Sequence, residues 1–336
     1  MMKNTHKFVL VIVSVFFVHT GCNTDMDVAI PSISDYNGTA SVSQGFATVT
    51  TDNLFECSNG REAPVGVSTA MDGSTWTVPA QVNFTDNSFP FASDLYNPCS
   101  GITFNSEAAA VMSLKDEDII EVDPNGELIT AFVFADNYFE MYINGVPVGK
   151  DMVPFTPFNS SILRFRVSYP FTIAMKLVDW EENSGLGSES NQGESFYPGD
   201  GGMVAVFKNE ANEIVTSTGA DWKAQTFYTS PIKDLSCPTE NGALRLSYNC
   251  NTDGSNDGTS FYALHWDIPA NWTAEDFDDS SWPNATPYTN TEIGVNNKPS
   301  YTNFTSIFDD PADDAEFIWS TNVILDNEVI VRFTVD

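Results

Sequence analysis

Short stretches of alternating apolar and polar residues run through most of this chain, with turn-forming residues between them. The alternation is clearest at residues 139–143 and 163–167, where every second side chain is apolar. A period of two places one face of a strand against a core and the other face in solvent. Turn signals that recur about every 8–12 residues are typical of β-sandwiches. The pattern therefore predicts an all-β protein.

Turn residues indicate where neighbouring strands pair. Asn144 and Gly145 separate residues 139–143 from an apolar return at 146–148, and this dipeptide favours a two-residue β-hairpin. A second hairpin is predicted to join residues 203–207 and 213–216. Adjacent antiparallel strands of this kind are the usual building units of a sandwich.

Other segments predict more varied structure. Residues 327–335 predict a long final strand, whereas residues 106–114 have room for only one or two helical turns. Residues 181–202 are rich in Gly, Ser, Asn and Glu and predict a long loop, and such loops are often functional. Three shorter strands are predicted earlier in the chain, at 47–50, 74–78 and 81–84.

The N-terminus predicts export. Lys3 and Lys7 precede an apolar run at 8–18, and Cys22 directly follows Gly21. This order is that of a secretory signal and resembles a bacterial lipoprotein signal with Cys22 as the lipidated residue. A transmembrane anchor is the first alternative, but the run is shorter than the roughly 20 residues that a span requires. Ordinary cleavage that leaves Cys22 as a plain thiol is the second.

The composition divides the chain into four parts. Residues 1–21 are the predicted lipoprotein signal peptide, and the polar residues 22–45 predict a flexible tether. Residues 46–117 form an N-terminal β-rich region, which is either a separate domain or packed on the main one. Residues 118–336 form the main sandwich.

The chain is strongly acidic. It has 46 Asp and Glu against 14 Lys and Arg, for a net charge of −32. Loss of the signal would remove Lys3 and Lys7, which leaves 12 basic residues and a net charge of −34. Such a protein repels nucleic acid and anionic membrane surfaces, so the only predicted membrane contact is the lipid anchor. The 25 phenylalanines argue against disorder.

Cysteine usage agrees with export. A lipidated Cys22 leaves four cysteines, an even number that fits disulfides in an oxidising compartment. Three pairings are possible. Cys57–Cys99 and Cys237–Cys250 are favoured because each bond stays within one region of the sequence.

Histidine usage restricts the chemistry. Of three histidines, His6 and His19 lie in the signal and only His265 remains. One histidine cannot build a multi-histidine metal site, and a Ser-His-Asp triad would depend on His265, which the local alternation places on a strand beside Trp266. No Gly-rich phosphate loop is present. Any catalysis would therefore depend on carboxylates.

Calcium is the cofactor most compatible with this composition. Residues 251–258 offer oxygen ligands, of which Asn251, Asp253 and Asp257 are the candidates for a structural Ca²⁺ site. The segment lacks the glycine and glutamate positions of an EF-hand. A plain polar loop is the alternative.

Three segments, 135–145, 277–285 and 316–332, resemble the hairpin, the Asp-rich turn and the closing strands of galactose-binding-like domains. The resemblance extends over about residues 130–336. It implies a jelly-roll β-sandwich, here with an extra N-terminal β-rich region. Domains of this family accompany many bacterial sugar-cleaving enzymes and bind sugars with loops at one end of the sandwich. Within the first segment, Asp136 and Asn137 are interpreted as turn-capping residues.

Sugar binding needs an aromatic face for the ring and planar polar groups for the hydroxyls. For the candidate tryptophans, the alternative to sugar binding is packing in the core. For the two candidate glutamates, the alternative is a position in a solvated loop without a binding role. The candidate ligand-binding residues are Trp180, Glu181, Glu182, Asp200, Trp222, Asn296, Lys298 and Tyr301.

These observations favour a non-catalytic, exported lipoprotein that binds a glycan or polysaccharide. A first alternative is a carboxylate-dependent glycosidase or polysaccharide lyase, which requires two acids at close range; glycoside hydrolysis places them about 5–9 Å apart. A second alternative is a structural or adhesion protein that binds other proteins through an exposed apolar patch. The sequence leaves the oligomeric state and the identity of the ligand open.

Overall fold

Two β-sheets packed face to face form the body of the computed structural model, which describes residues 35–58, 60–254, 257–311 and 313–336. The first sheet has seven strands, in the order β1 (Ser41–Gln44), β20 (Tyr262–His265), β17 (Lys223–Ile232), β25 (Asp326–Val335), β12 (Phe171–Val178), β9 (Tyr138–Ile143) and β10 (Val146–Lys150). This arrangement confirms the prediction of an all-β sandwich.

The second sheet has nine strands. Seven of them follow the order β21 (Thr286–Tyr288), β24 (Phe317–Trp319), β15 (Gly202–Lys208), β8 (Glu127–Asp136), β11 (Ser160–Val167), β5 (Ser93–Asn97) and β6 (Ile102–Thr103). The other two, β16 (Ile214–Ser217) and β7 (Ile119–Glu121), pair with β15 and β11. Among the described strands of both sheets, β7 and β11 are the parallel pair.

Smaller elements decorate the sandwich. A three-stranded sheet contains β2 (Thr48–Thr51), β3 (Val65–Thr69) and β4 (Thr75–Val78). Three two-stranded sheets contain β13 (Glu189–Asn191) and β14 (Glu194–Tyr197), β18 (Thr239–Asn241) and β19 (Leu244–Leu246), and β22 (Asp309–Asp310) and β23 (Asp313–Asp314). The helices are α1 (Glu107–Ser113), α2 (Pro299–Thr302) and α3 (Thr305–Phe308), with 3₁₀ turns at Asp116–Asp118 and Val295–Asn297. None of the helices in the described ranges combines the length and apolar character that crossing a membrane requires.

The central strand β12 is covered on both faces. All eight of its residues are buried. Ile173, Met175 and Leu177 belong to the core between the sheets, whereas Ala174 belongs to a second cluster on the other face. The polar residues Thr172 and Lys176, which share that face, are buried as well.

The structure confirms several elements that were predicted from local sequence. Asn144 and Gly145 have φ angles of 49° and 80°, which a type I′ turn between β9 and β10 requires. The predicted helical turns are α1, where the Ser106 hydroxyl accepts a hydrogen bond from the Ala109 backbone N–H at 3.3 Å. The predicted hairpin of 203–207 with 213–216 is β15 and β16, and the predicted final strand is β25.

The predicted strand at 81–84 is wrong, because these residues have no strand partner. They cross the outer face of the first sheet, where charged side chains take the place of a neighbouring strand. The Asn83 backbone N–H and side-chain amide both donate to the Glu140 carboxylate. Lys150 and Lys176 donate to backbone carbonyls of this segment at 2.7 and 2.6 Å. The backbone groups are thus satisfied without a ladder.

The described chain enters the sandwich at an edge of the first sheet. The Tyr36 hydroxyl donates to the Glu240 carboxylate at 2.7 Å, and the Thr39 backbone N–H donates to the same carboxylate at 2.8 Å. β1 follows and pairs with β20, so the stretch 22–45, predicted as a tether, includes an ordered strand from Ser41. The predicted signal peptide, Cys22 and the tether up to residue 34 lie outside the described residues.

The β-rich region 46–117 contributes to more than one sheet. Its strands β2, β3 and β4 form their own sheet, whereas β5 pairs with β11 in the second sheet of the sandwich. All described residues belong to one compact unit.

Two disulfides join the predicted pairs. Cys57 is bonded to Cys99, and Cys237 is bonded to Cys250. The first links two loops of the N-terminal region, and the second closes a loop of the main sandwich.

Candidate functional site

A pocket of about 290 Å³ gathers an unusual set of acidic side chains. Five carboxylic acids line it: Asp136, Asp179, Glu181, Glu189 and Asp200. The same lining holds two cations, Arg61 and Lys298, two amides, Asn137 and Asn191, and three aromatic residues, Phe155, Phe158 and Trp180. Concave sites with convergent polar groups are the usual positions of ligand binding.

The ends of two central strands position the first two acids. Asp136 is the last residue of β8 and Asp179 directly follows β12, so each sheet contributes one acid. The Asn137 backbone N–H donates to the carbonyl of Val178 at 3.1 Å, which holds the two strand ends together. The packing of the sheets thus places both carboxyl groups at one end of the sandwich.

Trp180 anchors the floor of the pocket. Its backbone N–H donates to the Asn137 side-chain oxygen at 2.5 Å, and its indole N–H donates to the carbonyl of Pro64 at 3.1 Å. The ring is fully buried and meets Tyr138 edge-on, with ring centroids 5.8 Å apart. Trp180 therefore fixes the chain between Asp179 and Glu181 and presents no open face for stacking.

Hydrogen bonds tie the surrounding loops to the acids. The Glu181 carboxylate accepts from the Gly199 backbone N–H at 2.5 Å, next to Asp200. Glu189, at the start of β13, pairs with the Arg61 guanidinium and accepts from the Asn191 amide at 2.7 Å. The segment predicted as a loop, 181–202, therefore wraps around the pocket, and its β13–β14 hairpin carries one of the acids.

The acids hold their protons more tightly than ordinary carboxyl groups do. Burial, followed by the charges of neighbouring acids, raises the pKa of Asp136, Asp179 and Glu181 well above the usual range. Burial and the charge of Glu189 raise the pKa of Asp200 to about 6, although Lys298 opposes this shift. Clustered carboxyl groups with raised pKa values are typical of functional sites.

Three of the acids have hydrogen-bonding capacity that the protein leaves unused. One buried oxygen of Asp179 (Oδ2) and one of Glu181 (Oε2) have no hydrogen-bond partner in the described structure. Both residues are at most 3% exposed. The half-buried Asp200 makes no hydrogen bond within the described ranges. Buried polar atoms without partners are uncommon and call for an explanation.

Four of the eight sequence-predicted ligand residues meet at this pocket: Trp180, Glu181, Asp200 and Lys298. The Lys298 ammonium lies 4.3 Å from the centroid of the Phe158 ring, a cation–π distance. The structure thus brings Trp180, Glu181 and Asp200 together with Lys298, which is far away in the sequence.

The other four predicted residues lie elsewhere. Trp222 is fully buried in the inter-sheet core and stacks on Phe333 at 5.3 Å. Tyr301 is also buried there, and its hydroxyl donates to the Asp309 carboxylate. The remaining two are outside the pocket lining. Glu182 accepts from the Ser190 backbone N–H at 2.6 Å, and the exposed Asn296 donates to Thr291 at 3.2 Å.

Sequence reasoning missed Asp179, Glu189 and Arg61 as site residues and interpreted Asp136 and Asn137 as turn caps. The Asn137 side chain does donate to Asp136 at 2.8 Å, next to a cis peptide bond between the two residues. A usable signal was present, because Asp136 and Asp179 each follow directly on an apolar strand. Arg61 had no such signal.

The predicted calcium ligands make bonds within the protein. The Asn251 side chain accepts from the Asp253 backbone N–H at 2.8 Å, and Asp253 pairs with Lys233. Asp257 accepts from the Ser260 backbone N–H at 2.9 Å. Among the residues that the structure describes, no group of three or more His, Cys, Asp or Glu is arranged to hold a metal ion. Calcium binding stays a prediction.

Comparisons with known proteins return no match. No protein-family model matches this chain, and neither the curated proteins nor the solved structures yield a significant similarity.

Proposed function

We propose that this protein is an exported, lipid-anchored glycan-binding protein and that the acidic pocket is its binding site. The observation that carries the proposal is the convergence of planar carboxyl and amide groups with Phe155 and Phe158 in one pocket of about 290 Å³. The two disulfides support export, because such bonds persist in oxidising compartments.

The pocket chemistry suits a saccharide. Adjacent sugar hydroxyls both donate and accept hydrogen bonds, and a carboxylate or amide can engage two of them at once. Asp200 has both oxygens available, and Asn191 adds an amide to the lining. The apolar face of a sugar ring can pack against Phe158, which is half-buried.

Binding of the full-length protein to a glycan array of plant and algal polysaccharides, with and without calcium, tests the proposal. For a glycan that binds, we expect Asp200→Ala and Phe158→Ala to weaken affinity about tenfold or more, since each removes a direct contact. Asp221→Ala is the matched control, because Asp221 is exposed and outside this pocket. Absence of binding to every glycan would overturn the proposal.

A second candidate function is carboxylate-dependent cleavage of a glycan in the same pocket. It is favoured by Asp200, whose carboxyl group has a pKa of about 6 and no hydrogen-bond partner among the described residues. General acids and bases work best with a pKa near the working pH. In hydrolysis, Asp179, whose pKa burial raises well above the usual range, would donate its proton to the leaving oxygen as the glycosidic bond breaks. The ionised Asp200 carboxylate would take the proton of the attacking water.

Release of reducing ends between pH 4 and pH 8 separates the two functions. Cleavage predicts release by the wild type and at least a hundredfold loss of the cleavage rate at saturating glycan in Asp200→Asn, a loss larger than any loss of glycan affinity. If the glycan binds but no reducing ends are released at any pH, the cleavage function is refuted and non-catalytic binding is retained.

A further inference from the structure

The acidic pocket has more acids than cations. Five acids face two cations in its lining. Arg61 is committed to Glu189 through an ion pair, so Lys298 is the remaining cation in the lining for the other four acids. Burial favours the protonated forms of Asp136, Asp179 and Glu181 because it raises their pKa values, and an occupant that brings positive charge would favour their ionised forms.

The unused acceptors point the same way. Asp179 Oδ2 and Glu181 Oε2 are buried without hydrogen-bond partners in the described structure, in residues that are 2% and 3% exposed. Asp200, which is half-buried, offers a more exposed carboxylate. These three groups accept hydrogen bonds when ionised and need a donor to satisfy them.

We infer that the occupant of this pocket carries a free ammonium group, which for a saccharide means an amino sugar whose amine is not acetylated. The inference rests on the proposed glycan-binding function and specifies its ligand class. An ammonium has three N–H donors and no acceptor, so it matches a pocket with surplus acceptors. An ammonium does not require the close arrangement of ligands that a metal ion requires, and no group of three or more His, Cys, Asp or Glu in the described residues has such an arrangement.

An ammonium ligand makes binding depend on pH. The groups that face one another are Asp136 at the end of β8, Asp179 and Glu181 after β12, Glu189 on β13, and Asp200 before β15, together with the cations Arg61 and Lys298. Because burial raises the pKa of Asp200 to about 6, this acid is largely protonated at pH 5 and largely ionised at pH 7. A cation binds the ionised form better, so affinity should rise between these two pH values.

Titration calorimetry on the full-length protein with three matched sugars tests the inference. Glucosamine, N-acetylglucosamine and glucose differ only in the group at one ring carbon, and the galactose series repeats the comparison with the other stereochemistry. At pH 7, in at least one series, we expect the free amine to bind about tenfold to hundredfold more tightly than the other two sugars, as for hydrogen bonds to a charged group. The advantage should fall at pH 5.

Two variants make the result specific. Asp200→Asn keeps the shape and removes the charge, and we expect it to lower affinity for the amine about tenfold and to change affinity for the neutral sugars less than twofold. Asp221→Asn, an exposed site outside the pocket, should change neither. Because Asp200 makes no hydrogen bond within the described ranges and is half-buried, its replacement is compatible with folding.

The outcomes distinguish this inference from the proposed function. Equal affinity for the three sugars in both series would overturn the ammonium requirement and leave glycan binding intact. If no sugar or glycan binds, the proposed function falls, and ethanolamine, an ammonium without a sugar ring, becomes the probe. Binding of ethanolamine that Asp200→Asn weakens would still support the ammonium site, and absence of binding would overturn it.

Discussion

Replacing Asp151 with asparagine should stabilise the protein at alkaline pH and have little effect in acid. Asp151 lies just after β10 and is 1% exposed. Its Oδ1 accepts from the Val153 backbone N–H at 2.9 Å and from the Asn159 amide at 2.6 Å. An asparagine oxygen can accept the same two bonds, so the substitution removes a buried charge and keeps the local structure.

The size of the effect follows from the pKa of Asp151. Burial raises it from the ordinary value of 3.8 to about 7, and this difference corresponds to about 4 kcal/mol. Since the folded-state pKa is the higher one, the wild type has its full stability below pH 3.8 and loses it as the pH rises through 7. Between pH 4.5 and pH 8 the loss is about 3 kcal/mol. Asp151→Asn has no such loss.

Urea unfolding at pH 4.5 and pH 8 measures this difference. At each pH, the free-energy gap is the difference in unfolding free energy between variant and wild type. The informative quantity is the change in this gap between the two pH values, because any pH-independent cost of the amide cancels. Asp221→Asn removes one exposed charge and serves as the control, with a gap that changes little. If the gap between Asp151→Asn and the wild type is the same at both pH values, Asp151 is not the pH-sensitive group that its burial implies.

Two further predictions concern stability. Removing the Cys57–Cys99 disulfide, which spans 42 residues, should lower the unfolding free energy by about 4 kcal/mol, and removing Cys237–Cys250, which spans 13, by about 3 kcal/mol; urea titrations of the double serine variants give the order, and a larger loss for the shorter loop would contradict it. Burial lowers the pKa of His265 to about 3, so the wild type should lose stability as the pH falls from 6.5 towards 3. His265→Gln should show a shallower decline of Tm with acid over this range, and an unchanged slope would refute this account.

The strands of this fold could be predicted because their signals are local. Alternation at 163–167 and the Asn144-Gly145 turn depend only on neighbouring residues, and both correspond to observed structure. The segment 81–84 has the same local appearance but bonds to Glu140 and Lys176 from distant parts of the chain. A local sequence pattern could not reveal that these side chains, and not a neighbouring strand, satisfy the backbone of 81–84.

The pocket was only partly predictable for a related reason. Trp180 and Trp222 look alike in sequence, yet Trp180 lines the pocket and Trp222 lies in the inter-sheet core. Which face of a strand or loop an aromatic residue occupies depends on packing between the sheets. Asp136 and Asp179 are likewise brought together by strands of different sheets, and Arg61 comes from the N-terminal region. The order in which the strands pair brings these residues together, and local sequence does not encode that order.

The edge position of β1 has a mechanical consequence. Under the proposed lipid anchor, drag on a bound glycan would pass along the chain towards Cys22 and would load the bonds of Tyr36 and Thr39 to Glu240 and then the pairing of β1 with β20. The described pocket lining includes no residue of β1. Under tension, β1 would therefore detach from β20 before the pocket is disturbed. The connection to the membrane would lengthen, and the ligand would stay bound.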